Sequence, residues 1–195
     1  MIRDQETLNI LLDTISRFVR ERLVPAETLV AETDRIPDDV LADMKDLGLF
    51  GICLPEEHGG MGLTMEEEVL LTFEIGHTSP CFRSIFATNN GIGGQGIVID
   101  GTPEQKARYL PKLASGEMIG SFALTEPDSG SDAASLRTTA VRDGDFYVLN
   151  GTKRYITNAP EAGIFTVMAR TDPAKKGADG ISAFIVECGT PGLSL

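Results

Sequence analysis

The residues best suited to hold a ligand lie in the stretch 118–132, where an apolar, strand-like half leads directly into a polar half. The polar half contains the hydroxyls of Thr125, Ser129 and Ser131 together with a proline and a glycine. A loop of this kind leaves backbone amides and hydroxyls unpaired at the end of a rigid strand, and such groups suit a ligand with many hydrogen-bonding edges or phosphate oxygens. Composition alone favours a simpler interpretation, in which the segment is an ordinary turn that leaves a strand.

Two short motifs decide between these interpretations. Residues 124–127 (Leu-Thr-Glu-Pro) and 130–132 (Gly-Ser-Asp) resemble the first flavin-contacting signature of the acyl-CoA dehydrogenase family. Residues 155–158 (Tyr-Ile-Thr-Asn) resemble the second signature, which usually reads Trp-Ile-Thr-Asn. The two motifs lie at the family's usual separation, and the resemblance extends along all 195 residues. It predicts a flavoprotein oxidoreductase.

The resemblance implies an activity, a cofactor and a set of site residues. Family members remove a proton beside an acyl-CoA thioester and pass a hydride from the neighbouring carbon to FAD, in the catabolism of fatty acids or amino acids. The flavin supplies the redox chemistry and the protein supplies orientation. The residues expected to contact FAD are Phe122, Leu124, Thr125, Tyr155, Ile156 and Thr157, and Ser131 is expected on the CoA or substrate side. Tyr155 replaces the usual tryptophan and keeps an aromatic face of smaller area.

The resemblance assigns no catalytic residue to this sequence. In the family the catalytic base is a glutamate of a C-terminal helical domain, which we expect to lie outside these 195 residues. Glu126 is an acid in the first motif, but this position belongs to the motif's turn, and Asp132 is interpreted as a turn or capping residue. We therefore expect the 195-residue chain alone to dehydrogenate no acyl-CoA and to bind FAD weakly or not at all.

Two further hypotheses stay open at the level of sequence. An acyl-CoA oxidase or a flavin-dependent monooxygenase on the same scaffold would carry the same motifs, since such relatives differ mainly in oxygen access and in the region outside this sequence. A non-catalytic structural or interaction fragment is the third hypothesis. By resemblance, the expected partners are an acyl-CoA substrate, electron-transfer flavoprotein and other copies of the chain in a homo-oligomer.

The charge of the chain limits its partners. The sequence has 29 acidic and 17 basic residues and a formal net charge of -12. This excess of negative charge argues against binding to nucleic acid or to an anionic membrane surface. A CoA ester is also anionic, and the sequence shows no obvious basic patch for it.

The cysteines and histidines give no support for a disulfide framework or a metal site. Cys53, Cys81 and Cys188 are odd in number and widely spaced, and only two histidines are present. Free thiols in a reducing compartment are the expected state. No apolar run reaches membrane-spanning length, and the polar N-terminus does not resemble a secretory signal, so we predict a cytoplasmic protein.

The first part of the chain, residues 1–116, is predicted to be an all-helical domain. An amphipathic helix is expected to end before Pro25, with a second helical piece over residues 26–32 and a third beginning near Pro37. Capping boxes at Thr64 and Thr102 predict two later helix starts, the first helix packing through Val69, Leu70, Phe73 and Ile75. One further helix is expected from Ser79 to about Ile99, although its glycines are poor helix formers.

Residues 117–195 are predicted to form a β domain. The expected strands are 118–124, 136–142, 146–149, 152–156, 164–170 and 181–187. Hairpin turns are predicted at Asp143-Gly144 and at Asn150-Gly151. The fold class is therefore α+β, with a helical domain followed by an incomplete antiparallel sheet or barrel.

Overall fold

The computed structural model describes residues 4–195. The chain divides into two compact units, a helical one up to Ile119 and a β-rich one from Gly120. The α+β class predicted from the sequence is confirmed.

The helical unit contains seven α-helices among the described residues. They are α1 (Gln5–Phe18), α2 (Val24–Thr33), α3 (Asp38–Asp46), α4 (Met65–Ile75), α5 (Pro80–Asn90), α6 (Gln95–Asp100) and α7 (Pro103–Ala114). Their apolar faces enclose one buried cluster, which includes Ile15, Leu23, Met44, Phe50, Leu71 and Phe82. Burial of such large side chains is the main stabilising contribution to a bundle of short helices.

The sequence predicts that helical structure stops before Pro25, but it continues through this residue. A π-helical turn, Val19–Leu23, joins α1 directly to α2, and the amide of Val24 donates to the carbonyl of Val19. A π turn is wider than an α turn and shifts the hydrogen bonds by one residue. The helical structure thereby continues past Pro25, which has no N–H to donate. The helix then continues to Thr33.

Both predicted capping boxes are confirmed. The hydroxyl of Thr64 accepts from the amide of Glu67, whose carboxylate accepts from the amide of Thr64 at 2.7 Å. Thr102 and Gln105 form the same reciprocal pair at the start of α7. Each box satisfies amides that have no partner within the helix, so these two starts could be located from local sequence.

The predicted packing face of α4 is correct at Ile75 and wrong at the other three residues. Leu71 and Ile75 are buried, but Val69, Leu70 and Phe73 are exposed, Phe73 at 68%. Apolar residues occur on more than one side of this helix, so its sequence does not specify which side faces the core. In the structure, the side of α4 that contains Leu71 and Ile75 faces the core.

The single helix predicted for residues 79–99 is also wrong. The segment breaks after Asn90, and a turn over residues 91–94 separates α5 from α6. A side chain at Gly94 would overlap the backbone carbonyl of Asn89, so the chain can turn back on itself here only with glycine. The glycines thus end one helix and allow a close backbone approach before the next.

The second unit is built on a five-stranded sheet. Its strands are β1 (Ile119–Ala123), β2 (Thr139–Asp143), β3 (Phe146–Asn150), β4 (Ala162–Arg170) and β5 (Ile181–Glu187). The strand order is β1-β4-β2-β3, with β5 also paired to β4. The pairs β2–β3 and β4–β5 are antiparallel, as predicted, but β2 pairs with β4 in parallel at Thr139 and Arg170. The sheet is therefore mixed and open.

One predicted hairpin is present, with its turn one residue later than predicted, and the other is absent. Gly144, with φ of 59°, and Asp145 form the two-residue turn between β2 and β3. No strand follows Asn150-Gly151, because residues 151–156 form a loop. Tyr155 in this loop has φ of 59°, which is incompatible with an extended strand. The predicted strand over residues 152–156 is therefore wrong.

Candidate functional site

The first motif is a fixed turn at the end of β1. The amide of Glu126 donates to the carbonyl of Ser129 at 2.7 Å, and the amide of Ser129 donates back to the carbonyl of Glu126 at 3.3 Å. The hydroxyl of Ser129 then donates to the carbonyl of Asp132 at 2.7 Å. These bonds stabilise one conformation of the turn, so the residues before it are held in place. We call residues 121–126 the first segment.

The second motif is an irregular loop between β3 and β4, and we call residues 153–158 the second segment. Tyr155 and Asn158 both adopt the left-handed conformation, with φ of 59° and 62°. The amide of Ala159 donates to the carbonyl of Ile156 at 3.2 Å and begins a short 3-10 turn. A non-glycine residue in this conformation is uncommon and is maintained by its surroundings.

Hydrogen bonds from both sides join the first and second segments. The amide of Arg154 donates to the carbonyl of Thr125 at 2.8 Å. The hydroxyl of Ser121, which is fully buried, donates to the carbonyl of Thr157 at 2.5 Å. The fold therefore brings together two groups of predicted site residues that lie about thirty positions apart in the sequence.

The groups that remain available at this junction suit a flat, polar ligand. The amide and hydroxyl of Thr125 and those of Thr157 make no hydrogen bond with other residues in the described part of the chain. Tyr155 is 78% exposed, and the guanidinium of Arg154 lies 4.6 Å from the centre of its ring. Hydroxyl and amide donors suit the hydrogen-bonding edge of a flavin, and an exposed aromatic ring suits its face.

The remaining predicted residues occupy different positions. Phe122, Leu124 and Ile156 are half-buried within the two segments. Ser131 is exposed in the bend after Gly130, and no hydrogen bond between described residues ties its side chain to either segment. The structure thus joins the two segments that contain the six residues predicted to contact a cofactor, and Ser131 lies outside both segments.

Glu126 is buried and held as an anion. It accepts hydrogen bonds from the amide of Arg137 at 2.6 Å, the amide of Thr138 at 2.8 Å, the hydroxyl of Thr138 at 2.5 Å and the ammonium of Lys153 at 2.9 Å. Burial alone would raise the pKa of this carboxyl, but the hydrogen bonds outweigh it and lower the pKa to about 2. A carboxylate with such partners is a poor proton acceptor near neutral pH.

Sequence reasoning missed Ser121, Lys153 and Arg154. Their roles depend on contacts with residues 27 to 36 positions away, and nothing in their local sequence signals these contacts. The closest available signal was the position of Lys153 and Arg154 immediately before the second motif.

The described residues contain neither a metal-binding cluster nor a membrane-spanning helix. In residues 4–195, no three histidine, cysteine or acidic side chains are grouped so that they could hold a metal ion. Nor is any helix in this part of the chain long and apolar enough to cross a bilayer.

Comparison with known proteins gives two family matches. Residues 5–117 match the acyl-CoA dehydrogenase N-terminal domain, and residues 121–195 match the acyl-CoA dehydrogenase middle domain. Together these matches cover nearly the whole chain.

Individual relatives agree with the family matches. An acyl-CoA dehydrogenase of Bacillus subtilis is 43% identical over 178 residues, which are 91% of this chain and 47% of the relative. A chain in the structure described as the electron transferring flavoprotein of Acidaminococcus fermentans is 37% identical, with a TM-score of 0.89 over 98% of this chain and 50% of that one. The Bacillus anthracis acyl-CoA dehydrogenase complexed with FAD is 36% identical, with a TM-score of 0.85 over 98% of this chain and 33% of that one.

The chain spans about half the length of these relatives, or less. Within that span the likeness covers both the helical unit and the β-rich unit. Identities of 36–43% over more than nine tenths of the chain agree with the match to both family domains. The chain belongs to the acyl-CoA dehydrogenase family.

Proposed function

We propose that this chain supplies the flavin-contacting and part of the substrate-contacting surface of an FAD-dependent acyl-CoA dehydrogenase. The observation that carries the proposal is the junction between Thr125 and Arg154, because it joins the two segments that carry the family's flavin motifs. The proposed reaction is the α,β-dehydrogenation of an acyl-CoA thioester. The domain limits that we propose are residues 1–116 and 117–195.

Each predicted site residue has a proposed task. Thr125 donates a hydrogen bond to the edge of the flavin ring, where such a bond favours negative charge that develops during reduction. Tyr155 offers an aromatic face, and Thr157 offers its amide and hydroxyl beside it. Phe122, Leu124 and Ile156 form the half-buried wall that excludes water from the ring. When bound, FAD supplies the hydride-accepting chemistry.

Ser131 is proposed to contact the CoA part of the substrate. Its exposure and its separation from the junction suit a group that meets the outer part of a long ligand. No residue of the chain is proposed as the catalytic base. Glu126 is excluded from this role because four hydrogen-bond donors surround its carboxylate.

Further proposals concern partners and location. Electron-transfer flavoprotein is proposed as the electron acceptor, supported by the likeness to a chain in a structure described by that name. Exposed apolar side chains on β2 and β3, among them Val141, Phe146 and Val148, support self-association into a homo-oligomer. We also propose a cytoplasmic location.

Of the two outcomes expected from the sequence, weak binding of FAD or none, we propose weak binding, and titration of FAD into the isotopically labelled chain tests it. Amide chemical shifts of Thr125, Ile156 and Thr157 should change with FAD concentration, and they should change less in a Thr125→Val variant. A Ser194→Ala variant, altered at an exposed position, serves as the control. Shift changes confined to other residues, or no change at millimolar FAD, would contradict the proposal.

A further inference from the structure

We propose that Glu126 and Lys153 form a positioning clamp that sets the spacing between the first and second segments. The proposal rests on the proposed function, because that function makes the spacing between the segments important for flavin binding. The clamp itself is a structural relationship and can be tested without flavin.

Lys153 crosses from the second segment to the first. Its ammonium donates to the Oε1 atom of Glu126 at 2.9 Å and to the carbonyl of Leu124 at 3.0 Å. Glu126 is buried and Lys153 is mostly buried, with side-chain exposures of 6% and 11%. A lysine confined in this way is fixed at two points, whereas an exposed lysine changes rotamer freely.

Glu126 connects the clamp to a third part of the chain. Its Oε2 atom accepts from the amide of Arg137, and its Oε1 atom accepts from the amide and hydroxyl of Thr138. These residues directly precede β2. The carboxylate therefore anchors the first segment to the sheet on one side and binds Lys153 on the other.

The clamp constrains the residues that are proposed to meet the flavin. Lys153 and Arg154 engage the consecutive carbonyls of Leu124 and Thr125. With both carbonyls used in this junction, the amide and hydroxyl of Thr125 are the groups left for a ligand. Release of Lys153 would free the backbone on both sides of the Thr125–Arg154 bond.

The first test is amide hydrogen exchange in the ligand-free chain. A Lys153→Met variant keeps the length and apolar character of the side chain but removes its ammonium. We expect the Arg154 amide to exchange at least about tenfold faster, because it samples open states more often. The amides of β4 that pair with β5 should keep their exchange rates.

Lys112→Met is the matched control. Lys112 also forms an ion pair, with Glu117 at 3.3 Å, but both of these side chains are exposed. This variant should leave exchange of the Arg154 amide unchanged. The clamp is overturned if Lys153→Met leaves that amide at the wild-type rate. It is also overturned if hydrogen exchange of the β4 amides becomes faster by the same factor, because Lys153 would then contribute to the stability of the whole unit.

The second test is FAD affinity in the same variants. Lys153→Met should weaken FAD binding about tenfold relative to the wild type, whereas Lys112→Met should leave it unchanged. Equal FAD affinity of the wild type and Lys153→Met, despite faster exchange at Arg154, would overturn the role of the clamp. If neither the wild type nor any variant binds FAD, the proposed function fails. The hydrogen-exchange data alone then decide whether the clamp exists.

Discussion

The hydroxyl of Ser121 in β1 donates a hydrogen bond to the backbone carbonyl of Thr157, 36 residues later in the chain. Ser121 is fully buried, whereas Thr157 is exposed. The bond therefore attaches an exposed loop to the strand in which the first segment begins. Together with the bond between Thr125 and Arg154, it fixes the second segment at two backbone positions.

Replacement of Ser121 by alanine should destabilise the β-rich unit. The variant removes one hydrogen bond and leaves the carbonyl of Thr157 to water, so the free energy of unfolding should fall by about 1 kcal/mol. Chemical denaturation of the wild type and the variant measures this difference. Ser194→Ala at an exposed position should have no measurable effect. An unchanged free energy of unfolding for Ser121→Ala would show that the bond makes no net contribution.

Because of the buried carboxylate of Glu126, the free energy of unfolding should decrease as the pH falls into the acid range. Its pKa is lowered from 4.5 to about 2 in the folded chain, so folding favours the charged form. The resulting stabilisation is fully present above about pH 5 and is lost as the pH falls from 4.5 towards 2. Its magnitude is on the order of 3 kcal/mol.

A Glu126→Gln variant tests this assignment. The free energy of unfolding, measured by denaturation between pH 2 and pH 7, should fall less steeply with acid in the variant than in the wild type. Glu117→Gln, which alters an exposed ion pair, should retain the wild-type pH dependence. Identical slopes for the wild type and Glu126→Gln would assign the acid sensitivity to other carboxyl groups.

The elements that sequence predicted well are those with local causes. Thr64 and Glu67 lie three residues apart, and each satisfies the other's backbone amide, so the helix start is encoded within a single turn. The turn at Gly144 is similar, because its positive φ is a preference of glycine itself. Such features can be identified without knowledge of the rest of the chain.

The elements that sequence predicted wrongly depend on distant residues. The segment 152–156 follows a predicted hairpin turn, but Lys153 and Arg154 bind Leu124 and Thr125 instead of a neighbouring strand. In α4, the burial of Leu71 in place of Phe73 depends on which neighbours cover the helix. The candidate site was identified by family motifs, but the contacts that hold it together required the structure.

Substitution of Gly151 by alanine should be destabilising, because the added methyl group has no room. Its carbon would lie 2.8 Å from the Cα atom of Thr138, and real side chains essentially never approach a backbone atom so closely. Relief requires movement of a residue that binds Glu126, at a cost of about 1–3 kcal/mol. Thermal unfolding measures the loss.

Gly96→Ala is the control for Gly151→Ala, and we expect the opposite sign. Gly96 lies in α6, and an added methyl group there meets no atom within 4 Å. Alanine is favoured over glycine in a helix by up to about 1 kcal/mol, so this variant should unfold at a slightly higher temperature. A Gly151→Ala protein as stable as the wild type would show that the contact with Thr138 relaxes without cost.

The thiol of Cys53 should resist modification in the native protein. Burial, and then the hydrogen bond and negative charge of Glu68, raise its pKa from 9.0 to about 12, so very little reactive thiolate forms at pH 8. Cys188 is exposed and should react first with a thiol reagent such as iodoacetamide. Mass spectrometry of peptides after a short labelling pulse should show modification of Cys53 at least about 100-fold slower than that of Cys188.

In a Cys188→Ser variant the fastest phase of labelling should disappear while Cys53 stays unlabelled, and denaturation should expose Cys53 to the reagent. Labelling of Cys53 in the native protein as fast as Cys188 would contradict its burial beside Glu68.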